Sequence, residues 1–184
     1  MKRNTFIAAM ITAVAMPIKA ISTIPSLFQN VKGFKINAGE GRIHGHMKLK
    51  GVNYNVLDVK VSGSDTAGNL AIFEQTSLSP GRGTPLHLHD FQDEVFYVLN
   101  GRYTFRVGED RYELKSGDSI FLPRKVPHAW KQISQSGKMT VVVQPAGKLE
   151  NFFMAIAALD HEPSAAEIAA IFSDHEMKVV GPPL

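Results

Sequence analysis

Between Gly81 and Gly101 the chain reads GRGTPLHLHDFQDEVFYVLNG. His87 and His89 stand two apart in a short extended segment, so both imidazoles leave the same sheet face. Two neutral imidazoles and a nearby carboxylate make a chelate for a divalent transition metal. Three acids follow, Asp90, Asp93 and Glu94. Asp90 directly follows His89, and alternation sends it to the opposite face. Asp93 and Glu94 open the next strand and face opposite ways. The inward series from Glu94 is Phe96 and Val98; from Asp93 it is Val95, Tyr97 and Leu99. Both are apolar, so periodicity leaves the choice open, and only the longer reach of glutamate leans towards Glu94.

Other chemistry is sparse. His44 and His46 form a second pair two apart, but with no acid or third histidine at a similar spacing; an edge or rim role is expected. His161 and His175 fall in the C-terminal part of the chain and are expected to be solvated. There is no Cys, hence no thiol nucleophile, disulfide framework or lipid-modified cysteine. No Gly-rich phosphate loop and no Ser-His-acid triad is readable.

These residues need a rigid frame. From Val52 onwards the chain runs as short strand-like stretches, YNVLDVKV, LAIFEQTSL, PLHLH, EVFYVL, RYTFRV, RYEL, SIFLP, HAWKQI and KMTVVVQP. Turn clusters such as SGSDTAGN, SPGRG, GED and SGD separate them. Asn100-Gly101 is a hairpin signal. Strands at such regular spacing, with no helical period between them, predict an antiparallel sandwich or barrel. After Pro145 the period becomes helical. LENFFMAIAAL is one helix, apolar on most faces. Ser164 to Glu167 forms a capping box that opens a second helix. Gly181-Pro182-Pro183 is expected to end regular structure. The expected organisation is an N-terminal segment at 1–20, a barrel with an N-terminal extension at 21–147, and a helical tail at 148–184.

The 184 residues are 44% apolar and 20% charged, as in a globular domain. Of the 20 basic residues, Lys2, Arg3 and Lys19 lie in the first twenty positions; the rest balance the 17 acids. A neutral body lacks the concentrated basic face that nucleic acid needs. The opening MKRNTFIAAMITAVAMPIKA has a positive start, a short apolar stretch and small residues at Ala15 and Ala20, the pattern of a secretory signal peptide. Cleavage there implies a periplasmic or secreted protein with no stable membrane span in its mature form; without it, the chain is expected in the cytoplasm.

The spacing resembles a known family. Gly81, five residues, His87-Leu88-His89, four residues, Glu94, six residues, Gly101 is similar to the first motif of the cupins. Gly117, five residues, Pro123 and then His128 is similar to the second. Lys125 stands where that second motif usually has Gly, and Gln132 where it usually has Asn. The endings PAGKLENFF and GPPL resemble single-domain, quercetinase-like bacterial cupins. The resemblance implies an antiparallel, jelly-roll-like β-barrel with two C-terminal helices packed outside it. It implies one divalent transition metal (Fe, Mn, Ni, Cu or Zn) held by His87, His89, Glu94 and His128, with Glu94 as the catalytic carboxylate. Two positions on the ion would remain for water or a small-molecule substrate. The implied activity is a metal-dependent dioxygenase of quercetinase type, acting on a small enolisable or aromatic substrate. A metal-dependent isomerase, lyase or decarboxylase and a non-enzymatic small-molecule binder are the alternatives. Phe96, Trp130 and Gln132 are candidates for the substrate pocket, with core packing as the other role for the two aromatic residues. Phe73 and Phe105 are expected in the core. A homodimer, joined through sheet edges or swapped N-terminal strands, is also implied.

Overall fold

A computed structural model describes residues 32–184. The strands are β1 (Met47–Lys48), β2 (Val56–Val61), β3 (Ala71–Ser77), β4 (Pro85–His89), β5 (Asp93–Asn100), β6 (Arg102–Val107), β7 (Asp110–Lys115), β8 (Ser119–Leu122), β9 (His128–Gln132) and β10 (Gly137–Gln144). Helices α1 (Leu149–Ala158) and α2 (Ala165–Asp174) follow, and the chain closes with β11 (Met177–Pro183). The segment read as a signal peptide, residues 1–20, lies outside the described residues. No helix among the described residues is long and apolar enough to cross a membrane.

The expected all-β, jelly-roll-like fold is present as two antiparallel sheets around one core. One has the strand order β1-β2-β3-β10-β5-β8, the other β11-β4-β9-β6-β7. Alternation sets the faces: every second residue of β3, β4 and β10 is buried. Phe73, Phe96, Phe105, Val98, Met139 and Val141 fill the space between the sheets. Neighbours within a sheet are often far apart in sequence, as where β3 pairs with β10.

Three local expectations change. Asn100-Gly101 does not close a hairpin. β5 pairs with β10 and β8, whereas β6 pairs with β7 and β9, so the turn carries the chain from one sheet to the other. Gly101 takes φ of 91°. A Cβ there would lie 2.6 Å from Ser134 Oγ and 2.7 Å from the Ser136 carbonyl oxygen, so both conformation and space require glycine. The true two-residue hairpin is the next one, where Val107 pairs with Asp110. Second, Gly181-Pro182-Pro183 does not end regular structure: these residues belong to β11, which pairs with β4. β11 is an edge strand, where a proline's missing N–H need not serve a second neighbour. Third, Ser164 caps α2 by accepting from the Glu167 N–H at 3.2 Å, but the Glu167 carboxylate does not reach back. It accepts from His161 Nε2 at 3.0 Å instead.

The helices do not pack on the outside of the barrel. Phe153 of α1 meets Phe73 of β3 at 5.1 Å between ring centres, and Phe152 meets Phe172 of α2 at 4.7 Å. The pair covers the mouth between the sheets, which explains why α1 is apolar on most faces. Glu150 ties the start of α1 to the loop after β2, accepting from Ser62 Oγ at 2.8 Å and from His44 Nε2 at 2.9 Å. His46 lies 2.7 Å from Asp58. The second histidine pair thus fastens the rim. His175 is half-buried rather than solvated: its Nδ1 donates to the Ile171 carbonyl at 2.7 Å.

Candidate metal centre

Strand register assembles the cluster. His87 of β4 pairs with His128 of β9 in the five-stranded sheet. His89 follows on the same face of β4. Glu94 projects from β5 in the other sheet. All four side chains are buried, and one donor atom from each lies within 4.8 Å of every other. The imidazole of His87 sits 4.5 Å from that of His128, and the His89 and His128 rings stack at 5.4 Å. Glu94 Oε2 lies 3.5 Å from His89 Nε2 and 3.3 Å from His128 Nε2.

The ring nitrogens facing away from the cluster are spoken for. His87 Nδ1 donates to the Pro85 carbonyl at 2.8 Å, and His128 Nδ1 donates to the Val126 carbonyl at 3.0 Å. Each bond fixes the tautomer that leaves an Nε2 lone pair for the centre. His128 Nε2 is buried without a hydrogen-bond partner despite its closeness to Glu94, because the contact lacks hydrogen-bond geometry. Burial pushes the pKa of His87 well below the ordinary 6.5, and that of His89 below it as well, so both are held neutral. Burial works to raise Glu94, but the three surrounding imidazoles overcome it and hold its pKa at about 2. Neutral imidazoles, an ionised carboxylate and an orphaned buried Nε2 fit a divalent transition metal.

The other acids are elsewhere. Asp93 faces outward and binds Arg124, accepting from Nη2 at 2.6 Å, Nε at 3.0 Å and the backbone N–H at 2.8 Å. It supports the β8–β9 turn. Asp90 pairs with Lys178 at 3.0 Å. Lys125 keeps the turn its motif position demands by taking φ of 64°, and its N–H donates to the His89 carbonyl at 2.8 Å.

The cluster opens into a cavity under the helices. Phe96 and Trp130 line it, together with Phe152, Phe153 and Phe172, and the Phe172 ring meets His87 edge-on at 5.1 Å. Gln75, Asn53 and Thr84 supply its uncharged polar lining. Gln132 does not line it. Its amide is spent in the core, donating to the Ser77 and Ser134 carbonyls and accepting from the Ser79 N–H. Sequence spacing missed Phe152, Phe153 and Phe172, since nothing in the helical period says which strand a helix covers. The cavity leaves about 60 Å³ for the centres of water-sized molecules, room for about four to six waters if each takes about 10–15 Å³.

The chain is similar to known proteins over part of its length. Residues 75–144 match the family described as Cupin domain. An uncharacterized protein of Methanocaldococcus jannaschii is 38% identical over 53 residues, 29% of this chain and 42% of that protein. Quercetin 2,3-dioxygenase of Bacillus subtilis is 30% identical over 118 residues, 61% of this chain and 34% of the enzyme. The crystal structure of an RmlC-like cupin from Shewanella frigidimarina is 19% identical with a TM-score of 0.49, covering 62% of this chain and 92% of that one. The match takes in only about a third to a half of each curated relative's length.

Proposed function

Because the chain belongs to the cupin superfamily, we propose that it is a mononuclear metal-dependent dioxygenase of quercetinase type, acting on a small enolisable or aromatic substrate. One observation carries this reading: the residues lining the cavity include no charged side chain other than Glu94. A divalent ion with Glu94 leaves one net positive charge. One deprotonated hydroxyl neutralises it, whereas a dianion would keep an uncompensated charge among apolar walls. A bound ion supplies Lewis acidity, lowering the pKa of a coordinated hydroxyl and favouring its enolate.

The chain's own residues do the rest. His87, His89 and His128 offer lone pairs in fixed directions. Glu94, buried and within reach of all three imidazoles, supplies the single negative charge as a ligand. Trp130, Phe96 and Phe172 present apolar walls that exclude water, and Gln75 offers a polar contact. In the reaction both atoms of dioxygen enter the product and the substrate itself supplies the electrons, so no outside reductant is needed. The cavity beneath α1 and α2, lined mainly by apolar side chains, suits a small planar substrate such as a 1,3-diketone. The row Val95, Tyr97, Leu99 and Phe121, exposed on the outer face of the six-stranded sheet, supports including a homodimer in the proposal.

The test is oxygen uptake by protein loaded in turn with Fe(II), Mn(II), Ni(II), Cu(II) and Zn(II), offered 1,3-diketones and flavonols. Uptake is expected with at least one pairing, lost in Glu94→Gln together with bound metal, and kept in Asp93→Asn. No uptake with any metal would refute the oxygenase. Turnover without oxygen would instead identify an isomerase, lyase or decarboxylase. Thermal stabilisation by a ligand without turnover would identify a binding protein.

A further inference from the structure

Two of the three histidines in the cluster have a main-chain carbonyl behind them, Pro85 for His87 and Val126 for His128. No main-chain carbonyl among the described residues does this for His89. Beside the His89 ring lies Gln92, from the loop between β4 and β5 and only 2% exposed. Its Nε2 donates to Glu176 Oε2 at 2.8 Å. A carboxylate accepts but does not donate, so this bond decides which way the amide faces. The oxygen is left over, and it is buried without a partner. An orphaned acceptor of this kind is disfavoured unless something completes it.

We propose that Gln92 is the positioning residue for His89: its Oε1 accepts from His89 Nδ1–H and so turns the His89 Nε2 lone pair into the centre. Every ligand histidine then has an oxygen acceptor behind it, two from the main chain and one from a side chain. The place for Gln92 is built. At Gly147 a Cβ would fall 2.0 Å from Gln92 Nε2 and 2.8 Å from its amide carbon, so the residue before Lys148 must lack a side chain for the amide to fit. The arrangement also reaches the helical cover. Glu176 lies in the turn between α2 and β11, and its other oxygen is 3.7 Å from Nζ of Lys148, just ahead of α1. His89, Gln92, Glu176 and Lys148 thus link the cluster to both helices that close the cavity.

This inference rests on the metal-centre reading, and Zn(II) alone is a sufficient probe. Second-sphere partners of this kind change metal affinity by about 10–100-fold. Gln92→Leu, similar in volume but without the acceptor, should bind Zn(II) about 10–100-fold more weakly in competition with a chelating dye. Exchanging the pair, Gln92→Glu with Glu176→Gln, keeps one carboxylate and one amide and restores an acceptor towards His89; it should recover most of the loss, which a volume-filling role for Gln92 does not predict. Zn(II) affinity of Gln92→Leu within about twofold of the parent, about 0.4 kcal/mol, would overturn the assignment. Should Gln92→Leu fold poorly, the parent protein decides: imidazole 1H–15N spectra of the Zn(II) form, assigned by residue, should show slowly exchanging Nδ1–H signals from His87, His128 and His89, and absence of the His89 signal would refute the proposal. His87→Ala separates the two failures. If it binds Zn(II) like the parent, the metal-centre reading falls. If it loses Zn(II) while Gln92→Leu keeps it, only the role of Gln92 falls.

Discussion

Phe172→Ala tests whether the helices seal the site. Phe172 is 2% exposed, and its ring packs against Phe152 and against His87 itself. Burying a phenylalanine removes about 150–250 Å² from water. At about 25 cal/mol per Å² that is about 4–6 kcal/mol, an upper bound for truncation. Buried Phe→Ala changes measured in proteins run at about 3–5 kcal/mol. With about 2–4 °C per kcal/mol for a chain of this size, the melting temperature should fall by about 6–20 °C. The assay is calorimetry on the full chain, with Phe121→Ala as control. Phe121 is 56% exposed, so its loss should stay within about 0.5 kcal/mol. A chelator should also withdraw Zn(II) faster from Phe172→Ala, because the wall over His87 is gone. If Phe172→Ala melts within about 2 °C of the parent, α2 is an outside decoration and the sealed cavity is wrong; truncating a side chain that merely touched the surface would change stability by about 0.5 kcal/mol.

The metal-free protein should lose stability on mild acidification. His87 and His89 have folded pKa values depressed by burial from the ordinary 6.5, so as pH falls the unfolded chain takes up protons first. Their contribution is fully present above about pH 6.5 and shrinks below it. Glu94, depressed from 4.5 to about 2, loses its contribution only below about pH 4.5, so the window from about 4.5 to 6.5 reports the histidines. His161, raised by hydrogen bonds first to Asp160 and then to Glu167, works the other way, and a His161→Gln background removes it. Equal melting temperatures at pH 7.5 and 5 in that background would contradict the buried neutral histidines. Lys125→Gly should raise the melting temperature by about 1–4 °C: left-handed backbone costs a non-glycine residue about 1–2 kcal/mol, partly offset by the greater freedom of unfolded glycine. A lower melting temperature would show that the lysine side chain contributes more than the strain costs.

Much of this was legible in the chain. Alternation in PLHLH put His87 and His89 on one face because strand period is fixed by backbone geometry, not by neighbours. The runs between turn clusters marked the strands for the same reason, and burial of Phe73 and Phe105 followed from them. The choice of Glu94 over Asp93 lay outside local periodicity, since both inward series are apolar; motif spacing selected Glu94, and the fold gives Asp93 a different partner in Arg124.

What only the tertiary structure decided is where separate elements meet. Asn100-Gly101 is a turn in any context, but which sheet receives each flanking strand depends on pairings with β10 and β9, formed by residues far along the chain. Gln132 shares its strand's inward face with Trp130, yet one borders the cavity and the other is consumed by Ser77, Ser79 and Ser134. The prolines at 182 and 183 stop a helix by their own chemistry, but β4 offered an edge that tolerates them. The same holds for Gln92: its acceptor is set by Glu176, 84 positions away. Local covalent geometry fixed the type of each element; long-range packing fixed its partner, and the site is made of partners.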